Sequence, residues 1–274
     1  MNTFCLVLTA GCYLLSAAGH IAYFCKQKRQ LYRFSSALLF IGFLFQTIIL
    51  VNRFFETGNF PAHNMQDALF LFAWSIAGVF VVFQIKYNLM VLGVIIAPIA
   101  SLLVLSASFV PGTYVPEDHG LNSLWLALHV VAAFIGNAAF AVAFGLAVMY
   151  LIQEKQIKKK NAGFFYKRLP SLNRLDSMGY ASIMIGFPML TIGMVSGCIY
   201  AQIKWGRYWN WDPKEVWSLI TWFVYAALLH ERFAVGWHGR KTAIMAIVGF
   251  CAILFTFLGV NLLFSGHHAP FTRW

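Results

Sequence analysis

Charged residues are scarce in this chain of 274 residues: they make up 11% of it, and only nine are acidic. Apolar residues make up 60%, and the mean hydropathy is +0.71. A soluble domain of this length carries more charge on its surface. The composition therefore indicates a polytopic membrane protein.

Several sequence motifs that carry chemistry are also missing. The chain has no CxxC pair, no CxxCH sequence, no phosphate-binding glycine loop and no HExxH helix. Its five cysteines fall in or at the ends of apolar segments, where cysteine usually acts as a small hydrophobic residue. They are Cys5, Cys12, Cys25, Cys198 and Cys251. These absences argue against thiol–disulfide chemistry, an ATPase, a zinc protease and covalently attached haem.

Apolar segments of membrane-spanning length recur along the whole chain. A helix needs about 20 mostly apolar residues to cross the hydrocarbon core. Eight segments qualify: 3–25, 35–54, 65–85, 88–110, 123–152, 177–202, 216–235 and 242–263. The first is expected to be retained, since it lacks the features of a signal peptide. The fifth is expected to tilt or to extend beyond the bilayer. We predict an all-α transmembrane bundle of about eight spans, forming a single membrane domain over 1–274.

Basic residues lie mainly on one side of this bundle. Fifteen fall in one set of connections, namely Lys26, Lys28, Arg29, Arg33, Lys86, Lys155, Lys158, Lys159, Lys160, Lys167, Arg168, Arg174, Arg232, Arg240 and Lys241. The other set holds five: Arg53, Lys204, Arg207, Lys214 and Arg273. Lys and Arg accumulate in cytoplasmic loops, so both termini and the loop at 203–217 are predicted to lie outside. The net charge of +11 then reflects topology, and no nucleic-acid partner is predicted. The basic loop near 155–168 is expected to contact anionic lipid headgroups.

The most distinctive segment joins the sixth and seventh predicted spans and reads WGRYWNWDPKEVW. Its four tryptophans are Trp205, Trp209, Trp211 and Trp217. Four charged residues are interleaved with them, which a lipid-facing helix would not carry. The segment predicts a short non-helical platform at the membrane surface that offers aromatic faces to a large flat ligand. Asp212 and Glu215 are expected to orient it through Arg207, Lys214 or backbone amides.

Histidines near the outer ends of spans are candidate ligands for a haem iron, because neutral imidazole binds it well. His129 lies near the outer end of the fifth span, and His267 and His268 follow the last span on the same side. Two such residues can hold haem from opposite faces, with Arg207 or Lys214 pairing with a propionate. The alternative is a set of interfacial histidines beside an ordinary aromatic belt.

His230 lies about 20 Å along the seventh span from Trp217, toward the predicted cytoplasmic end. An ionisable group inside a membrane suggests a functional role. The alternative is an interfacial side chain that reaches the headgroups. The remaining histidines are predicted to be core, solvent or interface residues: His20, His63, His119 and His238. Asp67, at the start of the third span, is predicted to cap that helix.

The spacing WGxxWxWDPKExW resembles the tryptophan-rich WWD signature of the haem-handling proteins of cytochrome c biogenesis. The continuation Leu219-Ile220-Thr221-Trp222 resembles the CcsA (ResC) branch of that family. The match extends upstream through 169–172 and 185–188, and downstream through His230 to 258–261. The first half matches mainly in span count and in a loose segment at 64–74. There the family more often shows Tyr-Glu-Ser than the Met-Gln-Asp of this chain.

The resemblance implies that haem b, bound non-covalently, crosses from the inner side and is presented outside to the CxxCH thiols of an apocytochrome c. It implies His129 and His268 as external axial ligands and His230 as part of an inner haem site. His267 is a rival for the second external ligand, since the family usually has an apolar residue there. Haem-binding residues implied in the loop are Trp205, Trp209, Trp211, Asp212 and Trp217.

The resemblance also implies a separate CcsB (ResB)-like membrane subunit, and a location in the bacterial inner membrane or an equivalent energy-transducing membrane. The chain would then be the haem-binding subunit of a cytochrome c synthase, and no residue is assigned a catalytic role. Two alternatives remain open. One is a HemX-like regulator of haem biosynthesis, and the other is an exporter of another flat hydrophobic ligand.

Overall fold

The computed structural model describes residues 3–62, 64–110, 123–160 and 162–264. All regular secondary structure in these ranges is helical, which confirms the predicted all-α class. The helices are α1 (Thr3–Lys26), α2 (Arg29–Thr57), α3 (Met65–Tyr87), α4 (Gly93–Phe109), α5 (Leu124–Lys158), α6 (Leu172–Trp205), α7 (Pro213–His230), α8 (Arg240–Leu254) and the single turn α9 (Val260–Leu263). A 3-10 turn, Met90–Leu92, precedes α4. Two π-helical turns, Glu231–Val235 and Phe255–Gly259, follow α7 and α8.

Within the described ranges, seven helical segments are long and apolar enough to cross a membrane. They are Cys5–Lys26, Arg29–Thr57, Met65–Tyr87, Met90–Phe109, Leu124–Lys158, Leu172–Trp205 and Arg240–Leu263. The protein is therefore an integral membrane protein. The eighth predicted span corresponds to α7, which has 18 residues and carries Lys214 and Glu215 in its first turn. Its role as a span stays a prediction, as does the placement of both termini outside.

Several helices extend past the apolar segments that predicted them. Helix α2 begins at Arg29 rather than 35, α6 begins at Leu172 rather than 177, and α5 ends at Lys158 rather than 152. Hydropathy marks only the part that suits hydrocarbon, whereas backbone hydrogen bonding continues into water. In the last turns of α5, Lys158 pairs with Glu154 at 2.7 Å. The 35 residues of α5 span about 50 Å, well beyond the ~30 Å hydrocarbon core.

The described residues divide into two compact units, one ending at Val130 and the other beginning at Val131. In the first unit, α1 packs against α2 and α4, and α3 packs against α4. In the second unit, α7 packs against α6 and α8. That the two units act as one membrane domain stays a prediction.

Buried polar side chains link the helices of the first unit. Tyr13 donates a hydrogen bond to Gln46 Oε1 at 2.7 Å, and Gln46 Nε2 donates to the carbonyl of Phe70 at 2.8 Å. His20 is fully buried, and its Nδ1 lies 2.9 Å from the carbonyl of Ser16. The prediction that His20 is a core residue is therefore confirmed.

Asp67 does not cap α3. The cap is Asn64, whose side chain accepts a hydrogen bond from the backbone N–H of Asp67 at 2.9 Å. The carboxylate of Asp67 is buried and forms an ion pair with Arg53 of α2. The predicted capping role was wrong because Asn64 already occupies the capping position. Asp67 instead ties two helices of the first unit together.

Helices α5 and α6 of the second unit approach each other where glycine replaces larger residues. A Cβ atom on Gly136 would lie 2.9 Å from the backbone nitrogen of Leu190, and one on Gly193 would lie 3.0 Å from that of Ala133. Close to this crossing, Ser182 Oγ donates to the carbonyl of Ala139 at 2.6 Å. The two backbones are therefore in direct contact.

Replacing Gly136 by alanine should destabilise the protein by about 1–3 kcal/mol, because the new methyl group meets backbone that cannot rotate away. Thermal unfolding in detergent measures the effect. The matched control is Gly11→Ala in α1, where an added Cβ meets nothing within 4 Å. Equal unfolding temperatures for the two variants would contradict this close approach of α5 and α6.

Aromatic side chains fill the core of the second unit. Tyr225 of α7 stacks on Phe140 of α5 with ring centroids 3.6 Å apart, and Phe144 stacks on Phe250 of α8 at 4.7 Å. Trp222 of α7 donates its indole N–H to Thr191 of α6 at 2.9 Å. These contacts fix α7, and with it the end of the tryptophan-rich segment, which leads into that helix.

Candidate functional site

The tryptophan loop, defined here as Trp205–Trp217, is non-helical only at 206–212, because Trp205 is the last residue of α6 and α7 begins at Pro213. The prediction of a non-helical platform was therefore wrong for the end of the segment, where Trp217 lies in the helix. Gly206 adopts a left-handed conformation with φ of 73°, and its N–H donates to the carbonyl of Gln202 at 3.0 Å. Glycine adopts this conformation at no steric cost, so it ends the helix sharply. Trp205 lies edge-on against Tyr200 of α6, with ring centroids 6.3 Å apart. The loop therefore leaves α6 at a fixed point.

The other end of the loop is held by a capping box at the start of α7. Asp212 accepts a hydrogen bond from the N–H of Lys214 at 2.8 Å. Glu215 Oε2 accepts from the N–H groups of Asn210 at 2.8 Å and of Asp212 at 3.2 Å. Such reciprocal bonds satisfy the free amides of a helix start. Asp212 and Glu215 therefore orient the loop through backbone amides, which is one of the predicted routes.

Trp211 is the most exposed tryptophan of the loop and has an unusual backbone conformation. Its φ is 56°, and its side chain is 76% exposed. For a residue other than glycine, this left-handed conformation costs about 1–2 kcal/mol. Glu215 holds it by accepting hydrogen bonds from the residues on both sides. The ring of Trp209 lies edge-on to that of Trp211, with centroids 6.0 Å apart. The loop thus presents a rigid, exposed aromatic surface.

Replacing Trp211 by glycine should leave the free energy of unfolding unchanged or raise it by up to about 1 kcal/mol, because glycine relieves the left-handed strain. The same variant should lose affinity for haem, the ligand that the resemblance implies. Thermal unfolding and haem titration measure the two effects separately. Trp217→Ala is the control, since it removes a packed ring and should lower the unfolding temperature. A clear loss of stability in Trp211→Gly would show that Trp211 serves the fold.

Trp217 packs inward, against α8. Its ring lies 4.3 Å from that of Phe255, the first residue of the second π-helical turn. A Cβ atom on Gly259, at the end of that turn, would lie 2.6 Å from the Phe255 ring. Single π-helical turns are frequent at functional sites. Trp217 therefore anchors the loop, while Trp211 forms its exposed face.

Polar groups beside the loop are suited to an anionic ligand. The Asn210 Nδ2 atom is buried and has no hydrogen-bond acceptor among the described residues. Lys214 is half-buried, and no ion pair within the described ranges includes it. Arg207 is exposed at the start of the loop. An incoming carboxylate would supply an acceptor for the Asn210 amide and a countercharge for Lys214 and Arg207.

The structure describes one of the three predicted external histidines. His129 is half-buried in the second turn of α5. His267 and His268 lie outside the described residues, as do His63 and His119. The pairing of His129 with His268 or His267 therefore stays a prediction.

His230 is the last residue of α7, and its side chain is exposed. It faces away from the core of the second unit, on the same side of the helix as the exposed residues Phe223 and Ala227. His238 is also exposed, with its Nδ1 2.6 Å from the carbonyl of Gly236. The predicted surface position of His238 is thus confirmed.

A polar cluster near His230 was missed by the sequence analysis. Asp176 of α6 forms a bidentate ion pair with Arg232, at 3.0 and 2.8 Å, and accepts a hydrogen bond from the N–H of Gly239 at 2.9 Å. We call this group the Asp176 clasp. The sequence offered one signal for this cluster, because Asp176 is a lone carboxylate near the basic end of the apolar helix α6. Its partner, 56 residues away, becomes evident only in the folded chain.

This protein is thus an integral membrane helix bundle with a braced, exposed tryptophan loop. The profile of the family described as "Cytochrome C assembly protein" matches residues 62–268. The chain belongs to this family.

Curated relatives agree with this assignment. Proteins named "Cytochrome c biogenesis protein CcsA" from Chlamydomonas reinhardtii, Guillardia theta and Microcystis aeruginosa are 38%, 36% and 34% identical to the chain. The matches cover 82%, 81% and 81% of this chain, and 65%, 80% and 82% of those proteins. The chain thus spans less than two thirds of the Chlamydomonas reinhardtii relative.

A solved structure described as "Cytochrome c Heme Lyase CcmF" shares the fold. It superimposes on 98% of this chain with a TM-score of 0.64, at 18% sequence identity. The aligned part is 48% of that longer protein. At this identity the similarity establishes the helical architecture alone.

Proposed function

We propose that this protein handles haem in the maturation of c-type cytochromes. It would relay haem outward and present it at the tryptophan loop for attachment to the CxxCH thiols of an apocytochrome c. The observation that carries the proposal is the braced loop, whose most exposed ring, Trp211, is held in a strained conformation. Strained backbone conformations of this kind cluster at functional sites. Membership of the cytochrome c assembly family supports this role.

The residues of the loop fit haem as a transported substrate. The exposed face of Trp211 suits a flat macrocycle. Asn210 Nδ2, Lys214 and Arg207 are donors suited to propionate carboxylates. Haem supplies the two vinyl groups that react with thiols. The side chains of this protein bind and orient it and keep oxidants away, so no residue of the chain needs to act as an acid or base.

We propose His129 and His268 as the external axial ligands of haem b, with His267 as the rival of His268. The resemblance to the WWD family supports this pair. The distribution of basic residues supports an external position for the loop, in the bacterial inner membrane or an equivalent energy-transducing membrane.

We propose that His230 takes part in an inner haem site completed by a second, CcsB-like membrane subunit. Its imidazole is exposed on an otherwise apolar face that includes Phe223 and Ala227. A bare imidazole facing lipid is unfavourable. Haem held between His230 and a partner helix would cover this face and satisfy the imidazole.

Absorbance of the purified protein tests the proposal first. Protein from haem-replete cells should show the sharp reduced bands of bis-histidine haem, and His230→Ala should lose part of them. His238→Ala is the matched control, because it removes an exposed histidine with no proposed role. Protein that stays colourless when haem is supplied would contradict haem handling.

Co-expression with a CcsB-like subunit and an apocytochrome c tests the role of the bound haem. Covalent haem on the apocytochrome, detected by its peroxidase activity after denaturing electrophoresis, is the expected result. Haem-loaded protein that gives no covalent product with a competent partner would instead indicate a HemX-like regulator.

A further inference from the structure

The Asp176 clasp joins three segments at the end of the second unit opposite the tryptophan loop. Asp176 lies in the second turn of α6, Arg232 in the π-helical turn after α7, and Gly239 at the N-cap of α8. One carboxylate receives all three hydrogen bonds, two from the guanidinium and one from the backbone. The clasp therefore fixes the π-helical turn relative to its neighbours on both sides.

The clasp is largely withdrawn from solvent. The side chains of Asp176 and Arg232 are each 9% exposed. The guanidinium also lies over the ring of Tyr180, 4.3 Å from its centroid, and Tyr180 in turn contacts Phe233 edge-on at 6.0 Å. The planar guanidinium of Arg232 is both paired and stacked, so it is held in a single orientation. The flexible ammonium group of a lysine would not reproduce this orientation.

His230 lies at the junction that the clasp controls. Helix α7 ends at His230, and the N–H of the next residue, Glu231, is shared between the carbonyls of Ala227 and Leu228. The π-helical turn then runs to Val235 and is closed by the left-handed Gly236. Arg232 stands two residues after His230, so the clasp holds the π-helical turn close to the residue at which α7 ends.

We propose that Asp176, acting through Arg232, is a positioning residue for His230. It holds the junction so that the imidazole stays on the exposed face of α7, ready to bind iron. This inference rests on the proposed role of His230 in an inner haem site. A residue that orients a metal-binding histidine through its surroundings typically changes metal affinity by about 10–100-fold when it is removed.

The test compares Asp176→Ala with His230→Ala in the full chain purified with its partner subunit. Both variants should lose the same part of the haem absorbance, with an affinity loss of about 10-fold or more. Added imidazole should restore it in both, because the free ligand replaces a histidine that is absent or misplaced. The double variant should lose no more than His230→Ala alone. Glu154→Gln is the control, since it breaks two ion pairs at the same end of the unit, with the exposed residues Lys158 and Arg240.

A second measurement needs no haem. Hydrogen exchange of the amides at 231–237 should be faster in Asp176→Asn, which keeps an acceptor for Gly239 but loses the charge pair, and in Arg232→Lys. If Asp176→Ala does not accumulate in cells, these two milder variants replace it in the haem measurement, and both should lose part of the haem absorbance. Unchanged exchange, or a haem loss that imidazole does not restore, would overturn the inference.

The two proposals fail in different ways. If His230→Ala keeps the full haem absorbance, the inner site at His230 is wrong, and so is any positioning of it. If His230→Ala loses haem while Asp176→Ala and Asp176→Asn match Glu154→Gln, the inner site stands and the positioning role of Asp176 is wrong.

Discussion

Replacing His129 by alanine should abolish covalent attachment of haem to a co-expressed apocytochrome c. A haem with one protein ligand missing is held weakly and is open to oxidation, so it would not be presented in the reduced form that attachment needs. Peroxidase staining of the cytochrome measures the effect. Imidazole added to the growth medium should restore attachment in part, because it occupies the vacated axial position.

The same assay should distinguish His267 from His268. His268→Ala should abolish attachment, while His267→Ala should leave most of it, and the opposite result would make His267 the ligand. His238→Ala serves as the control, since His238 is exposed and contacts the carbonyl of Gly236. Full attachment in His129→Ala, or in the double variant of His267 and His268, would refute the proposed external pair.

Replacing Asp67 by alanine should destabilise the protein by about 3–5 kcal/mol, since removing one partner of a buried ion pair leaves the other uncompensated. The side chain of Asp67 is fully buried, and that of Arg53 is 21% exposed. Thermal unfolding in detergent measures the loss. Glu154→Gln is the comparison, because its partner Lys158 is 60% exposed and such surface pairs contribute about 0–1 kcal/mol.

A second variant separates the ion pair from the loss of packing around Asp67. Asp67→Leu combined with Arg53→Met removes both charges and keeps the volume, so it should recover most of the stability lost in Asp67→Ala. If Asp67→Ala unfolds at the same temperature as Glu154→Gln, the pair does not hold α2 and α3 together.

The helical segments were predictable because hydropathy reports what a membrane requires. The ends of the helices were less so. Arg29 and Lys158 lie in helices but outside the apolar segments, since their backbones keep the helical hydrogen bonds where hydropathy falls. Asp67 was misassigned for a related reason. Its position in the first turn suited a cap, and only the folded chain brings Arg53 against it.

The tryptophan loop was predictable in its position along the chain, but the start of α7 at Pro213, within the segment predicted to be non-helical, was not. Asp212 and Glu215 were expected to orient the loop, and their bonds to backbone amides confirm one of the predicted routes. That these bonds form a capping box was not predicted. The left-handed conformation of Trp211 was not predictable, because nothing in a tryptophan favours it. Asp176 and Arg232 were missed because the partners are far apart in sequence and each alone is unremarkable at a helix end.

Direct backbone contact at Gly136 and Gly193 makes α5 and α6 one stiff element, because no layer of side chains lies between them to repack. Helices α7 and α8, in contrast, each continue into a π-helical turn, where the regular ladder of hydrogen bonds is broken. The turn after α7 is nevertheless tied to the α5–α6 pair, because Asp176 of α6 holds Arg232. The rigid pair therefore serves as a frame that holds the end of α7, where His230 lies.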